Sequence, residues 1–516
     1  MAMTRGAKAL SLIAALGVAT ATLSGCQSAV QLEDKKSEAP AEIVAGGTLH
    51  LAQAGDLAPM SVMAERAANG SWASSVLETL TMYDADMTPQ PVLATDWTLS
   101  DDGLTMQLTL REGVKFHNGR EMTADDVKFS IELSADPANA AQVGFIARTF
   151  TSITVDSPTQ LTIEFGAPTP NVFDLFEQTP IVPEEAWKGF ADGSSIIGTG
   201  PFAFDSWSPG AEAHLSRYDD YWGEPALLDD IEIAVITDST AMLNAVRSGR
   251  ADVALQMQPV DVTSLQADSS YKVINTSASA YPMGVSVEVA PFDKKEARQA
   301  IQYAVDRERI AEQVLGNDAS RVTDLFWEPT VPGYPADLEN YYSYDPEKAK
   351  DLLEQAGAVG AEVEITTLGL PANTAVAEIV RNNLEEVGLK PTLNVQEPQA
   401  WDANQVKGEL GAMFLPLHGL GGVQPVTLLD RLPSLREGNP SHFWTDEYVE
   451  LRTDLITATE DEYADALHAL TEYVLDEAFT GVLVQSISQV VTTADVNGIS
   501  FTSRGYVLAG DASISE

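Results

Sequence analysis

Cysteine is almost missing from this chain. There is one, Cys26, in 516 residues. That excludes a disulfide framework and zinc sites built on paired thiolates. Histidine is scarce as well: six are scattered along the sequence, and none stands in an H-E-x-x-H arrangement. No G-x-S-x-G nucleophile elbow and no phosphate-binding P-loop occurs, so an exported hydrolase is disfavoured and no catalytic residue is assigned. "LSDDGLTM" shares part of a glycosidase turn motif, but with the wrong spacing, and reads as a hairpin turn. Positive charge is the third shortage. Thirty Lys and Arg face 76 Asp and Glu, a net charge of −46, which would repel nucleic-acid phosphates. Beyond the first residues no apolar run approaches the length of a membrane span. What the chain does have is a 44% hydrophobic fraction, enough at this length for two or more domains with their own cores.

The start explains the single cysteine. MAMTRGAKALSLIAALGVATATLSGC carries Arg5 and Lys8, no acid, and then a weakly apolar run from Ala9 to Leu23. A basic segment, a short apolar segment and small residues describe a secretory signal peptide over residues 1–25. Leu23-Ser24-Gly25-Cys26 resembles the bacterial lipobox, in which the cysteine becomes the lipidated N-terminus. Cys26 is therefore expected to be an anchor, on the outer face of a bacterial cytoplasmic membrane. Residues 26–46, polar and acidic, would be a disordered tether.

Further along, Gly46-Gly47 precede a strand, TLHLAQA. Asp102-Gly103 sits between two alternating runs, a hairpin signal. Asn118-Gly119 marks another turn, and Thr123, with Asp125 and Asp126 behind it, starts a helix. Together with "SITVDSPTQLTIEF", the stretch to about residue 185 reads as mostly strand. After Gly198 the pattern changes. "DIEIAVITDSTAMLNAVRSGRADVAL" reads strand, helix, strand, ending the helix at Gly249, and "VEITTLG…TAVAEIVRNNLEEVGLKPTLNVQ" repeats that logic with Gly388 as the stop. "FDKKEARQAIQYAVDRERIAEQVLG" puts Ala297, Ala300, Ile301 and Ala304 on one helical face. Asp345, Pro346 and Gly357 bracket another helix. Two separated blocks of alternating strands and helices predict two α/β lobes.

Five stretches in order resemble the extracytoplasmic solute-binding proteins of ABC importers, in the peptide- and nickel-binding family (family 5). They are "VLETLTMYDADMTPQPVLATDWTLSDDGLTMQLTLREGVKFHNGREMTADDVKFSIE", "GTGPFAFDSW", "RYDDYWG", "PFDKKEARQAIQYAVDRERI" and "YDPEKAKDLLEQAG". The resemblance implies a two-lobed α/β fold of the periplasmic-binding-protein type (type II, in the cluster with an extra inserted domain), with a cleft between the lobes. One lobe would combine 47–72, 186–275 and 482–516, the inserted β-rich domain would be 73–185, and the second lobe 276–481. Chain crossings would lie near Thr276–Tyr281 and Val482–Gln485. In the GTGPF stretch, Gly198, Gly200 and Pro201 suit a tight turn with positive φ. Arg298 is expected to pair with a carboxylate.

The resemblance also directs attention to "FLPLHGLGGVQPVTLLDRL". Peptide-binding members supply an Asp there for the ligand's ammonium; Gly419 to Pro425 contain no acid, and Asp430 is the nearest. Nickel-binding members have a Trp where His418 stands, so His418 is a candidate metal ligand, although a lone His is more often a packing residue. Trp72, Tyr281 and Trp401 fall in segments that face the cleft in the family, and Gly419, Gly421 and Gly422 would leave room for ligand. The expected function is a monomeric, lipid-anchored receptor that delivers a small solute, peptide-like by preference, to an ABC permease. It would need no catalysis and no cofactor. Nickel or another metal chelate, an opine or an oligosaccharide are the alternative solutes, and sensing without a permease is the alternative role.

Overall fold

The computed structural model describes residues 45–64 and 66–515, all within one compact unit, Ile43–Glu516. Cys26, the leader and nearly all of the tether lie outside the described residues. Gly46 and Gly47, with φ of 100° and 90°, lead into the strand Thr48–Gln53. That strand pairs in parallel with Asp230–Val235 on one side and Val253–Leu255 on the other. Between those two partners runs the helix Ser239–Arg247. The Asp238 carboxylate accepts from the Ala241 backbone N–H at its start, and Gly249 turns away past its end at φ +68°. Glu212–Arg217 and Phe202–Ser208 extend this edge as antiparallel strands.

A second parallel group repeats the arrangement. Glu362–Leu368 lies between Lys390–Gln396 and Met413–Leu415, with the helix Pro371–Glu386 as crossover and Gly388 beyond it at φ +96°. Two long antiparallel strands, Tyr271–Val285 and Thr480–Thr493, join the groups: the first pairs with Met413–Leu415 and the second with Val253–Leu255. The result is one 12-stranded sheet. Between the joining strands the register shifts twice, between Asn275 and Ala278 and between Tyr281 and Pro282. Irregularities of that kind bend a ladder, and Pro282 has no N–H to give to one.

Residues 94–165 contribute a separate four-stranded antiparallel sheet, ordered 94–99, 105–110, 160–165, 150–157. Gly103, at φ +69°, makes its first hairpin as expected. The helix Ala124–Ala135 begins in a capping box between Thr123 and Asp126. The surrounding stretch is less strand-rich than the alternation suggested, because Val172–Gln178 is also helical. Leu108 and Phe176 share a continuous apolar core with Leu428 and Phe479 of the later chain.

Several local expectations are refined. Ala297, Ala300, Ile301 and Ala304 are all buried, but their helix stops at Ala304. Asp306 then caps a new turn, Arg307–Ile310, by accepting from the Arg309 N–H. The break is held by Asn383, whose side-chain oxygen accepts from the Asp306 N–H at 3.1 Å. The helix Pro346–Ala356 has Asp345 as cap and Gly357 in the left-handed region. Arg298 meets the Glu477 carboxylate at 2.8 Å. Gly198 and Gly200 are glycines for a different reason from the one expected. Neither is in the left-handed region; a Cβ there would lie 2.0 Å from the Val76 carbonyl oxygen and 2.6 Å from that of Ser75. Close backbone approach, and not positive φ, fixes these positions.

Candidate functional site

In open parallel sheets the carboxyl ends of the strands border a crevice, because the chain must leave the sheet there and backbone groups are exposed. Thr48–Gln53, Val253–Leu255 and Glu362–Leu368 all send their following segments to one such crevice. It is a cavity of about 580 Å³ lined by residues 255–259 and 313–315, by Pro371 and Ala372, by the joining strands at Thr276, Ser277, Tyr281 and 486–490, and by the turn 504–506. This size is in the range of small-molecule sites. Its polar groups are mostly amides and hydroxyls.

Several of these groups are held in place from behind. Gln256 adopts φ +61°, a strained conformation for a residue with a side chain. Its amide donates to the Ala67 carbonyl at 3.0 Å and its oxygen accepts from the Gly55 N–H at 3.1 Å. Gln489 donates to Asn275 and to the Asp318 carbonyl. Tyr281 is nearly buried, which pushes its phenol pKa up. The Tyr506 hydroxyl donates to the Arg66 carbonyl at 2.7 Å.

Of the pocket residues nominated from the sequence, Tyr281 lines this cavity. Trp72 is fully buried in a different core; its indole N–H donates to Asn69 at 3.1 Å, and its ring meets Phe204 edge-on. Trp401 packs with Leu410 and Phe414. His418 is buried, with Nε2 2.8 Å from the Ser434 hydroxyl. Burial pulls its pKa down to about 4, so the ring is neutral at pH 7. Asp430 is turned away and pairs with Arg452 at 2.6 Å.

None of the three glycines is in the cavity wall, and two of them belong to a contact elsewhere. Gly421 and Gly422 have φ of +62° and +56°, and a Cβ on Gly422 would sit 2.5 Å from the Ser503 carbonyl oxygen. Space around Gly419 is open. The 418–427 segment is held by the helix Val172–Gln178. Gln178 donates to the Gly421 carbonyl at 3.2 Å and Asn171 to the Thr427 hydroxyl at 2.8 Å. Fully buried Asp174 accepts from the Tyr83 hydroxyl at 2.8 Å, the Gln424 N–H at 3.1 Å and the Thr427 hydroxyl. Burial raises the Asp174 pKa to about 7, against the lowering effect of those hydrogen bonds.

The glutamines and Arg504 were not singled out from the sequence. Gln256 and Gln258 carried a usable signal, since they directly follow a predicted strand. Arg504 carried none, because it reaches the cavity from the last turns of the chain.

Two parallel α/β groups, joined by paired strands and flanking a solute-sized cavity, are the arrangement of the periplasmic-binding-protein fold. The model of bacterial extracellular solute-binding proteins, family 5 (middle part), matches residues 88–435, and the chain belongs to that family. It is a family of extracellular binding proteins, not of enzymes; a solved structure similar to this chain, at 22% identity and a TM-score of 0.75 over 92% of it and 99% of the other, is the ABC transporter-associated periplasmic binding protein DppA from Helicobacter pylori in complex with the peptide STSA. Heme-binding protein A of Haemophilus influenzae is 27% identical over 425 residues, 75% of this chain and 77% of that protein. Di/tripeptide-binding protein 1 of Pseudomonas aeruginosa is 28% identical, covering 78% and 82% of the two chains. Among solved structures, NikA from Brucella suis in complex with Fe(III)-EDTA superposes with a TM-score of 0.80 at 22% identity, over 91% of this chain and all of the other. The expected fold is therefore the observed one.

Proposed function

We propose that this protein is a lipid-anchored receptor that captures a small, peptide-like solute and delivers it to an ABC import permease. The observation that carries this reading is the cavity of about 580 Å³ at the strand ends, bordered by both parallel groups and crossed by the two joining strands. A solute touching both sides binds the closed arrangement more tightly than the open one, and so draws the receptor shut. In this reading residues 47–72, 186–275 and 482–516 form one lobe, 276–481 the other and 73–185 the inserted domain, and the register shifts beside Ala278 and Pro282 are where the bending is absorbed. Amides, hydroxyls and the tyrosines Tyr281 and Tyr506 suit peptide groups, which need paired donors and acceptors with some apolar cover. The relative named for di- and tripeptides, similar over most of both chains, supports the same choice. The position of His418, held by Ser434 away from the cavity, lends nothing to a metal chelate.

A native mass spectrum of the protein purified from its own cell envelope tests the solute. A ladder of adducts at short-peptide masses is expected, whereas a single adduct with a metal isotope pattern would refute the peptide reading. Detergent partitioning tests the anchor: the wild-type chain should enter the detergent phase and Cys26→Ser should not.

A further inference from the structure

Strain and a clamp meet at one point of the cavity wall. Among the described residues five that are not glycine take a positive φ, and of these only Gln256 lines the cavity. An L side chain tolerates that conformation poorly, and it persists only where the surroundings impose it. Two side chains do so here. The Gln256 amide donates to the Ala67 carbonyl at 3.0 Å, and its oxygen accepts from the Gly55 N–H at 3.1 Å. Gln53, buried at the end of the neighbouring strand, donates to the Gly55 and Ala68 carbonyls at 2.7 and 3.0 Å. Glutamines from two adjacent strand ends thus pin the same two stretches of chain. The second stretch carries the pinning onward. The Tyr506 hydroxyl donates to the Arg66 carbonyl at 2.7 Å and the Val507 N–H to the Gly70 carbonyl at 2.8 Å. Ala67, Gly70 and Tyr506 all line the cavity.

We propose that Gln256 is a positioning residue for the solute: its side chain locks the strand-end peptide in a left-handed turn and, with Gln53, holds residues 66–70 and the turn 504–507 as one preassembled wall. This deepens the receptor reading above and rests on it. The lock bears directly on recognition. A left-handed residue disrupts a strand ladder locally, and among the described residues neither the Met257 N–H nor the Gln256 and Met257 carbonyls meets a backbone partner. Those groups stand free, at the edge of the cavity, for the amides of a peptide-like solute. A wall fixed before the solute arrives needs no ordering when it binds. A wall that is correctly placed only part of the time lowers the affinity by that fraction.

The test offers the full chain in detergent a casein digest of short peptides, identifies the bound peptide by native mass spectrometry and titrates it by calorimetry. Gln256→Gly releases the clamp but also the strain, because glycine takes a positive φ freely. Its melting temperature should therefore stay close to that of the wild type while its affinity falls about 10-fold or more. Gln256→Glu adds a pH profile. Its ionised carboxyl cannot donate to the Ala67 carbonyl and its protonated form can, so its deficit relative to wild type, both measured at each pH, should shrink between pH 7 and about pH 4. That profile decides the matter even if the glycine variant folds poorly. Gln256→Gly binding as tightly as wild type, affinity and melting temperature falling together in both variants, or a deficit of Gln256→Glu that does not change with pH would overturn the proposal and leave the receptor reading standing. A wild-type chain that takes no peptide from the digest would remove the peptide-like reading together with the proposal.

Discussion

Replacing Gly422 by alanine separates closure from folding. Two costs arise at that position. The first is the φ of +56°, which an L-residue adopts at a cost of about 1–2 kcal/mol. The second is steric: the new Cβ would lie 2.5 Å from both the carbonyl oxygen and the Cβ of Ser503. Ordinary contacts fall at about 3.5–4.0 Å, so the segment must withdraw by about 1 Å. The steric cost exists only while the 418–424 segment rests on the 500–506 turn. Ser503 belongs to a turn tied to Arg66 and Gly70, whereas Gly422 follows the strand Met413–Leu415 of the other parallel group. Overpacking of this size costs about 1–3 kcal/mol, and charged to the closed arrangement alone it should weaken solute binding about 5- to 150-fold. Calorimetric titration measures the affinity, small-angle scattering the shift towards the extended form, and thermal melting the stability. Gly438→Ala is the control, for its φ is +70° and no atom lies near its would-be Cβ. It should lower the melting temperature without changing affinity. If Gly422→Ala merely reproduces the control, the contact with Ser503 persists in both arrangements and the closure argument fails.

Two more outcomes follow from buried charge. Burial pushes the Glu78 pKa to about 7 despite hydrogen bonds from Trp222 and Tyr221. A carboxyl raised on folding binds its proton more tightly in the folded state, so its stabilising share is complete below about pH 4.5 and is lost as pH rises through 7. Denaturant titrations should show Glu78→Gln removing a falling contribution on the order of 1–3 kcal/mol across that window; an unchanged pH slope would refute it. Arg307 and Asp324 form an ion pair at 2.8 Å with both side chains almost fully buried. Asp324→Ala leaves the guanidinium without its counter-charge and should cost about 3–5 kcal/mol, read as a lower denaturation midpoint; a loss below about 1 kcal/mol would contradict it.

Much of the scaffold was legible because its signals are local. Asp345, Pro346 and Gly357 mark a helix through groups only a few bonds from the backbone they satisfy, and Thr123 with Asp126 does the same. The strand–helix–strand alternation around Gly249 and Gly388 shows as a change of hydrophobic period, and five blocks in order pointed to the family. The site was far less legible. Trp72 and Trp401 read equally well as core or pocket, since burial of an indole depends on which surfaces the fold brings together. Gly198 and Gly200 look like turn glycines, yet backbone from residues 75 and 76 excludes their side chains. Sequence alone thus determined the elements, their order and the class of protein. Only the tertiary structure decided which residues share the cavity: the two joining strands pass between the parallel groups, and a turn near the end of the chain sets Gly505 against Thr276, in the same cavity as the strand-end glutamines. No local pattern records a meeting of stretches that lie hundreds of residues apart.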